Sequence, residues 1–346
     1  MKKRWISLLV GLLTLLLAAC ATTPAALPTV DTPTEQPVED AGQPTEESTN
    51  EEEPVADGTA LQIALLPILD SLPYYVAAEN GYFEEAGVNV EVVPVASALE
   101  REQLMQAGAI DGMLNELHST AINNKDGVRV QTVMTARKAY DTAPLFRVLA
   151  APDSGITSPE DLTDVPIGIS ENTIIEYVTE RLLEEEGLSA DQIMGQSVPA
   201  IPERFQLLME GQIEAATLPD PLAQSAMEQG AILVVDDSAY PQYAVSVLTF
   251  STDALENRPD DVRAVLAAWT KAAEAINASP EEYRALLLEK VQVPPNVQET
   301  YQIPPFPIAE VPTIDQWEDV VDWLAARDLA PAGLDYDESI STAYLP

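Results

Sequence analysis

From residue 61 onward, short runs rich in Val, Ile and Leu alternate with stretches whose apolar residues recur at helical spacing. The first series predicts strands over 61–66, 88–95, 110–114 and 128–134, with helices over 74–80, 99–107 and 116–124 between them. Strands that are apolar on both faces and separated by helices pack as a parallel sheet covered on both sides. A second series follows residue 151, with strands over 165–169, 214–218 and 232–235 and helices over 173–186, 203–209 and 221–229. Ile174, Ile175, Val178, Leu182 and Leu183 line one face of helix 173–186, and Gly187 ends it. A strand over 245–251 and helices over 259–277, 280–289 and 313–327 complete the chain. These last helices have no strand series of their own and are expected to cover the first lobe, which makes that lobe discontinuous.

The two series share an internal echo. Glu100-Arg101-x-Gln103-Leu104-x-x-x-Gly108-x-Ile110-Asp111 recurs 103 residues later as Glu203-Arg204-x-Gln206-Leu207-x-x-x-Gly211-x-Ile213-Glu214. Each copy reads as a helix, a glycine turn and a strand entering a sheet, so two structurally equivalent α/β lobes are expected. Their bounds are 61–147 with 246–346 for lobe 1, and 148–245 for lobe 2. Arg101 and Arg204 hold equivalent positions and read as structural, each pairing with a neighbouring carboxylate.

Charge narrows the partners. With 17 Lys plus Arg against 57 Asp plus Glu the formal net charge is −40, which opposes phosphate backbones, so nucleic acid is excluded. One Cys and one His rule out an intramolecular disulfide, a cysteine zinc site and two-histidine metal motifs. No metal or cofactor is expected.

The start of the chain is organised differently. Lys2, Lys3 and Arg4 precede a 15-residue apolar run over 5–19, too short to span a bilayer, which takes about 20 residues. The run ends in Leu17-Ala18-Ala19-Cys20, which resembles the lipobox of bacterial lipoprotein signal peptides. That resemblance implies a signal peptide over 1–20 and lipidation of Cys20, the single cysteine. An ordinary signal peptide with a chance cysteine is the alternative. Residues 21–60 hold six prolines, eight threonines, ten acids and no Lys or Arg. Such a segment buries too little apolar surface to offset its ordering entropy and is expected to be a disordered spacer.

Catalytic signatures are missing. The chain has no phosphate loop, no G-x-G-x-x-G, no G-x-S-x-G and no H-E-x-x-H. A catalytic triad would need His118, which reads better as a capping or solvent-facing residue. An enzyme is not expected. Two α/β lobes do offer a cleft, and ligands bind outside the carboxyl ends of the strands. The segments that should line it supply Asp70, Ser71 and Tyr74 after the first strand, Ser97 after the second, and Asn115 and Glu116 after the third. Lobe 2 supplies Ser170, Glu171, Asn172 and Thr173 at a helix N-terminus, and Asp220.

At these residues the chain resembles the substrate-binding proteins of ABC importers for sulfonates, taurine, nitrate and thiamine-precursor pyrimidines, a type II periplasmic-binding-protein group. The resemblance rests on Glu79-Asn80-Gly81-Tyr82-Phe83-Glu84-Glu85-Ala86-Gly87, Gln106-Ala107-Gly108-Ala109-Ile110-Asp111-Gly112, Gly168-Ile169-Ser170 and Gly211-Gln212-Ile213-Glu214-Ala215-Ala216, and covers about residues 60–330. It implies two lobes closing on a small nutrient by a hinge. It also implies a monomer held by its lipid anchor on the extracytoplasmic face of a bacterial membrane, beside an ABC permease. Some relatives of the group are pyrimidine-synthesising enzymes, but these carry a cysteine-rich motif that this chain lacks. A receptor-coupled sensor is the third reading.

Ligand class divides the same residues two ways. The helix N-terminus at 170–173 favours an anion such as a sulfonate or nitrate. Glu171, Asp70, Glu116 and Asp220 oppose that, and favour a neutral or cationic amine-bearing heterocycle stacked on Tyr74 or Tyr75. Against the acidic pocket, the acids can face solvent, and Thr173 with Glu176 fits a capping box. Arg147, beside an expected hinge, would readmit an anionic group if it faced the cleft.

Overall fold

The computed structural model describes residues 58–346; Cys20, the leader over 1–20 and the spacer as far as residue 57 lie outside them. In chain order come β1 (Leu61–Leu65), α1 (Leu72–Glu79), α2 (Tyr82–Glu85), β2 (Val90–Pro94), α3 (Ala98–Gln106), β3 (Gly112–Glu116), α4 (Leu117–Asn124) and β4 (Val130–Lys138). Then follow β5 (Phe146–Ala150), β6 (Pro166–Ile169), α5 (Ile174–Glu185), β7 (Met194–Ser197), α6 (Ile201–Met209), β8 (Ala215–Pro219), α7 (Leu222–Glu228) and β9 (Ile232–Asp236). The chain ends through β10 (Val245–Ser251), α8 (Thr252–Asn257), α9 (Pro259–Ala278), α10 (Arg284–Lys290), α11 (Ile314–Ala325) and α12 (Tyr336–Ser339).

These strands form two five-stranded sheets, ordered β2-β1-β3-β10-β4 and β7-β6-β8-β5-β9. Each sheet has one antiparallel strand, β10 or β5, in its fourth place. The fold is therefore mixed α/β and two-lobed, and the chain passes between the lobes twice, over 139–145 and 237–244. Strands β5 and β7 were not predicted. The first contains Arg147, beside the expected hinge, and the second is exposed throughout and has no apolar run to mark it.

The echo has a physical basis. Arg101 and Arg204, 1% and 0% exposed, each donate to the carbonyl 13 residues later: Arg101 Nη1 to Leu114 O at 2.8 Å and Arg204 Nε to Thr217 O at 2.9 Å. Gly108 and Gly211 both take φ of 65°, a left-handed turn that costs a side-chain-bearing residue energy and glycine little. The expected carboxylate partners exist for Arg101, which meets Glu102 at 3.0 Å and Glu116 at 2.9 Å. Arg204 instead donates to Ser170 Oγ at 2.9 Å and Val198 O at 2.7 Å. Burial lowers its pKa to about 10.

The first lobe packs β1 against α1 and α9, with Ile63, Leu65, Leu266 and Trp269 in one core. α9 thus covers the first lobe as expected, whereas α11 does not belong to one lobe. Thr313 and Gln316 form the capping box that starts it, and Trp317, Val320, Val321 and Leu324 enter a core shared by Leu117 and Ala121 of α4 and Val178 and Leu182 of α5. Polar contacts tie it to the second lobe as well. Tyr177 Oη donates to Asp319 at 2.5 Å, Arg181 pairs with Asp319 at 3.0 Å, and Trp323 Nε1 donates to Glu180 at 2.7 Å. A helix with a wide apolar stripe settles where two apolar faces meet, and that place lies on both lobes.

Candidate functional site

The strand ends of the two lobes bring four charges together. Asp70 lies in the turn after β1, Arg137 is the penultimate residue of β4, Arg147 the second of β5, and Asp220 follows β8 directly. They form two ion pairs, Arg137 Nη1 to Asp70 Oδ1 at 2.9 Å and Arg147 Nη2 to Asp220 Oδ2 at 2.8 Å. Both pairs are largely buried, with side-chain exposures of 3% and 11% in the first and 12% and 6% in the second. Tyr301, 2% exposed, reaches the same place from the segment after α10. Burial raises its hydroxyl pKa, the fields of Asp220 and Asp70 add to the rise, and Arg137 and Arg147 oppose it.

The pairs are incomplete in a particular way. Arg137 Nε and Nη2, Arg147 Nε, Asp220 Oδ1 and Ser246 Oγ are buried and make no hydrogen bond. Ser246 lies opposite both Glu116 and Arg137 in the β10 ladders, so it joins the row at the strand ends. Buried polar groups left without partners cost about 1–3 kcal/mol each. A cluster of them at a lobe junction offers both donors and an acceptor to whatever enters.

Ser71 is fully buried and donates to Leu66 O at 2.7 Å, which holds the turn carrying Asp70. Asn115, also buried, donates to Ser119 Oγ at 3.0 Å and Thr120 Oγ1 at 3.2 Å, and its Oδ1 has no partner. Glu116 is taken by Arg101, and Ser97 caps α3 by accepting from Glu100 N at 3.2 Å. Ser170 accepts from Arg204 and donates to Pro199 O at 3.2 Å. Gly168 makes that possible, since a Cβ there would come within 2.8 Å of Ile213 Cδ1 and 3.2 Å of Arg204 Cγ.

Asn172 takes φ of 59°, a conformation asparagine tolerates better than most residues. Its N–H donates to Glu176 Oε2 at 2.5 Å, while Thr173 caps α5 by accepting from Ile175 N at 3.2 Å. Glu176 thus serves Asn172 and not Thr173, and the expected capping box does not form. Glu171 is exposed. Tyr74 lies away from the charged cluster, 5% exposed in the core of the first lobe with Phe83 at 5.1 Å. It occupies the buried face of α1, and apolar packing claims its ring.

His118 departs from expectation in the other direction. It neither caps nor meets solvent: it is 3% exposed, edge-on to Tyr177 at 4.6 Å and Trp323 at 5.4 Å, with neither ring nitrogen partnered. Burial, with Arg181 adding, lowers its pKa to about 3, so it is a neutral aromatic wedge between α4, α5 and α11. Among the described residues no cluster of His, Cys, Asp and Glu could hold a metal.

Two carboxyls are displaced upward. Burial raises Asp220 to about 6 against the pull of Arg147 and Arg137. Burial also raises Asp237 to about 7, although it accepts from the N–H groups of Leu145 and Phe146, each at 2.9 Å. Because both folded values exceed the ordinary 3.8, the native protein holds protons that the unfolded chain has released. The stability these groups supply is full below about pH 4 and is lost as pH rises through about 6 and 7. Melting temperature measured from pH 4 to pH 8 should therefore decline more steeply for the native chain than for Asp220→Asn.

A family profile described as NMT1/THI5 like matches residues 69–283. The formylaminopyrimidine-binding protein of Halalkalibacterium halodurans is 24% identical over 283 residues, covering 73% of this chain and 80% of that one. A Brachyspira hyodysenteriae protein named as an ABC transporter periplasmic binding protein is 24% identical over 246 residues, covering 65% and 67%. Among solved structures, the periplasmic aliphatic sulphonate binding protein of Escherichia coli superposes with a TM-score of 0.70 at 19% identity, over 82% of this chain and 92% of that one. The same fold also serves a desulfurization enzyme, matched with a TM-score of 0.60 at 16% identity over 82% and 97%.

Proposed function

The chain belongs to the NMT1/THI5-like family, and from that premise we propose that it is the extracytoplasmic solute-binding component of an ABC importer. It captures a small organic nutrient between its lobes and passes it to the permease. We read Cys20 as its lipid anchor. The observation that carries this reading is the buried cluster of Asp70, Arg137, Arg147, Asp220 and Tyr301 at the lobe junction, with unpartnered donors and an acceptor. A binding role needs such a cleft and no nucleophile. The curated relatives named above are binding proteins.

The favoured ligand is a neutral or cationic amine-bearing heterocycle such as a thiamine-precursor pyrimidine. Asp70 and Asp220 are each matched by an arginine, and Glu116 shares Arg101 with Glu102, so much of the acidic charge is compensated, and a molecule with adjacent donor and acceptor groups suits the cleft better than a bare cation. An amino group would donate to Asp220 Oδ1, and a carbonyl or ring nitrogen would accept from Arg137. The second reading is a sulfonate, favoured by the free N–H groups of Arg137 and Arg147.

Thermal melting of the protein against aminopyrimidines, polyamines, sulfonates and nitrate separates the two, because a ligand at about 100 times its dissociation constant adds about 2.7 kcal/mol. A shift with heterocycles alone supports the first reading, and a shift with sulfonates alone replaces it. The pH dependence adds a second discriminator. Protonation of Asp220 near pH 6 removes the acceptor an amine needs, so affinity for an amine should fall as pH drops through that value. Affinity for a sulfonate should hold or rise, because Arg147 is then released.

The lobes also touch directly on this side. Asn296 accepts from Ser225 Oγ at 2.8 Å and donates to Ser225 O at 3.2 Å, and Thr300 donates to Glu228 at 2.9 Å, joining the segment that carries Tyr301 to α7. Asn296→Ala should speed ligand release several-fold while changing the melting temperature of the ligand-free protein little, measurable by stopped-flow fluorescence with whichever compound shifts the melting temperature.

A further inference from the structure

The crossings between the lobes have a second side. Lys138 follows Arg137 in β4, so its side chain leaves the strand on the opposite face, where it pairs with Glu310 at 2.7 Å. On that side lies a cavity of about 770 Å³, walled by Tyr140 and Asp141 of one crossing, Tyr243 of the other, Tyr177 of α5 and the first turns of α11. Its size is that of a site for a small organic molecule, about 300–1,000 Å³. Arg147, Asp220 and the other groups of the cleft cluster contribute nothing to its wall.

The chemistry of the wall is one-sided. Four carboxylates, those of Asp141, Glu310, Asp315 and Asp319, line the cavity against the single lysine. Glu310 is taken by Lys138 and Asp319 by Arg181. Asp141 and Asp315 are exposed and have no ion-pair partner among the described residues. The rings already serve cations: Lys138 Nζ lies 5.5 Å from the Tyr140 centroid, and the Arg181 guanidinium lies 5.5 Å from that of Tyr177. Tyr243, edge-on to Tyr177 at 6.0 Å, carries no cation among the described residues. Thr135, 2% exposed, also lines the cavity, and its hydroxyl makes no hydrogen bond among the described residues. It supplies a further polar group to the wall, from a side chain that is itself buried.

We propose that this hinge cavity binds a small organic cation, a quaternary or protonated amine with an apolar body. The body lies against Tyr243 and Tyr140 and the charge faces Asp141 and Asp315. Aromatic faces attract cations through the ring quadrupole, and carboxylates at the rim add a Coulomb term in the same direction. Both crossings form the wall, so the lobe arrangement and the occupancy of this site are linked, whatever solute the cleft takes.

The test is calorimetric titration of the full chain, at low ionic strength, with benzyltrimethylammonium, choline and the neutral choline isostere 3,3-dimethylbutan-1-ol. Both cations should bind and the isostere should bind at least about tenfold more weakly. Tyr243→Ala and the double change Asp141→Asn with Asp315→Asn should each weaken cation binding by about tenfold. Tyr243→Phe, which keeps the ring and loses only the hydrogen bond to Glu185, should retain it, and the melting curve of Tyr243→Ala separates loss of the ring from misfolding. The proposal is overturned by absence of binding, by equal binding of the isostere, or by indifference to the changes at 141, 243 and 315.

Discussion

Arg137→Met is expected to cost about 3–5 kcal/mol of folding stability, because it strands a buried carboxylate. Asp70 keeps one charged partner at 2.9 Å in a place where its side chain is 11% exposed, and methionine fills the space without offering a donor. For a domain of this size each kcal/mol lowers the melting temperature by roughly 2–4 °C, so the fall should be close to 10 °C or more. Removing both charges, as Asp70→Asn with Arg137→Met, should restore part of the loss, since the penalty comes from the orphaned charge. Solute binding should fail in both variants, for Arg137 also supplies two of the unpartnered donors. Denaturant or thermal unfolding of the two single variants and the double variant measures the coupling. Equal loss in the single and double variants would mean that Asp70 does not depend on Arg137.

Asp237→Ala should destabilise by a comparable amount through a different route. Asp237 is fully buried and each of its oxygens accepts a backbone N–H, from Leu145 and Phe146. It stands at the start of the second crossing and its partners at the end of the first, so one side chain staples the two chains of the hinge. Alanine leaves two buried donors unsatisfied, at about 1–3 kcal/mol each. Asp237→Asn keeps one acceptor and should lose about half as much. Hydrogen exchange at the amides of Leu145 and Phe146 would report the staple directly: both should lose protection in Asp237→Ala, and unchanged protection would assign the hinge's order to the strands alone.

Much of the architecture is legible in the sequence. The alternation of β-rich runs with helices placed eight of the ten strands. The echo located two equivalent lobes, because the same packing problem, an arginine under a sheet, recurs with the same solution at residues 101 and 204. Of the candidate cleft residues, Asp70 and Asp220 fall in the charged cluster, and Ser170 and Glu116 lie at the strand ends but are taken by Arg204 and Arg101. Tyr301 and Ser246 were not foreseen, since nothing in a lone Tyr or Ser marks it as buried beside two ion pairs. A signal did exist for the arginines: in a chain with 17 cations against 57 acids, a cation at each end of the first crossing is conspicuous.

What the sequence by itself determined is whatever depends on neighbours along the chain: strand and helix periodicity, the glycine turns at 108 and 211, the cap of α11, and an acidic composition that repels nucleic acid. What only the tertiary structure decided is which charges meet. Arg137 and Asp70 stand 67 residues apart, Arg147 and Asp220 73 apart, and only the folding of both sheets brings each pair within hydrogen-bonding distance. The same holds for His118, whose burial beside Tyr177 and Trp323 depends on α11 settling across both lobes. Pairing offsets Asp70 and Asp220 with one arginine each, because the field at a site is set by distances in space and not by the order of residues in the chain.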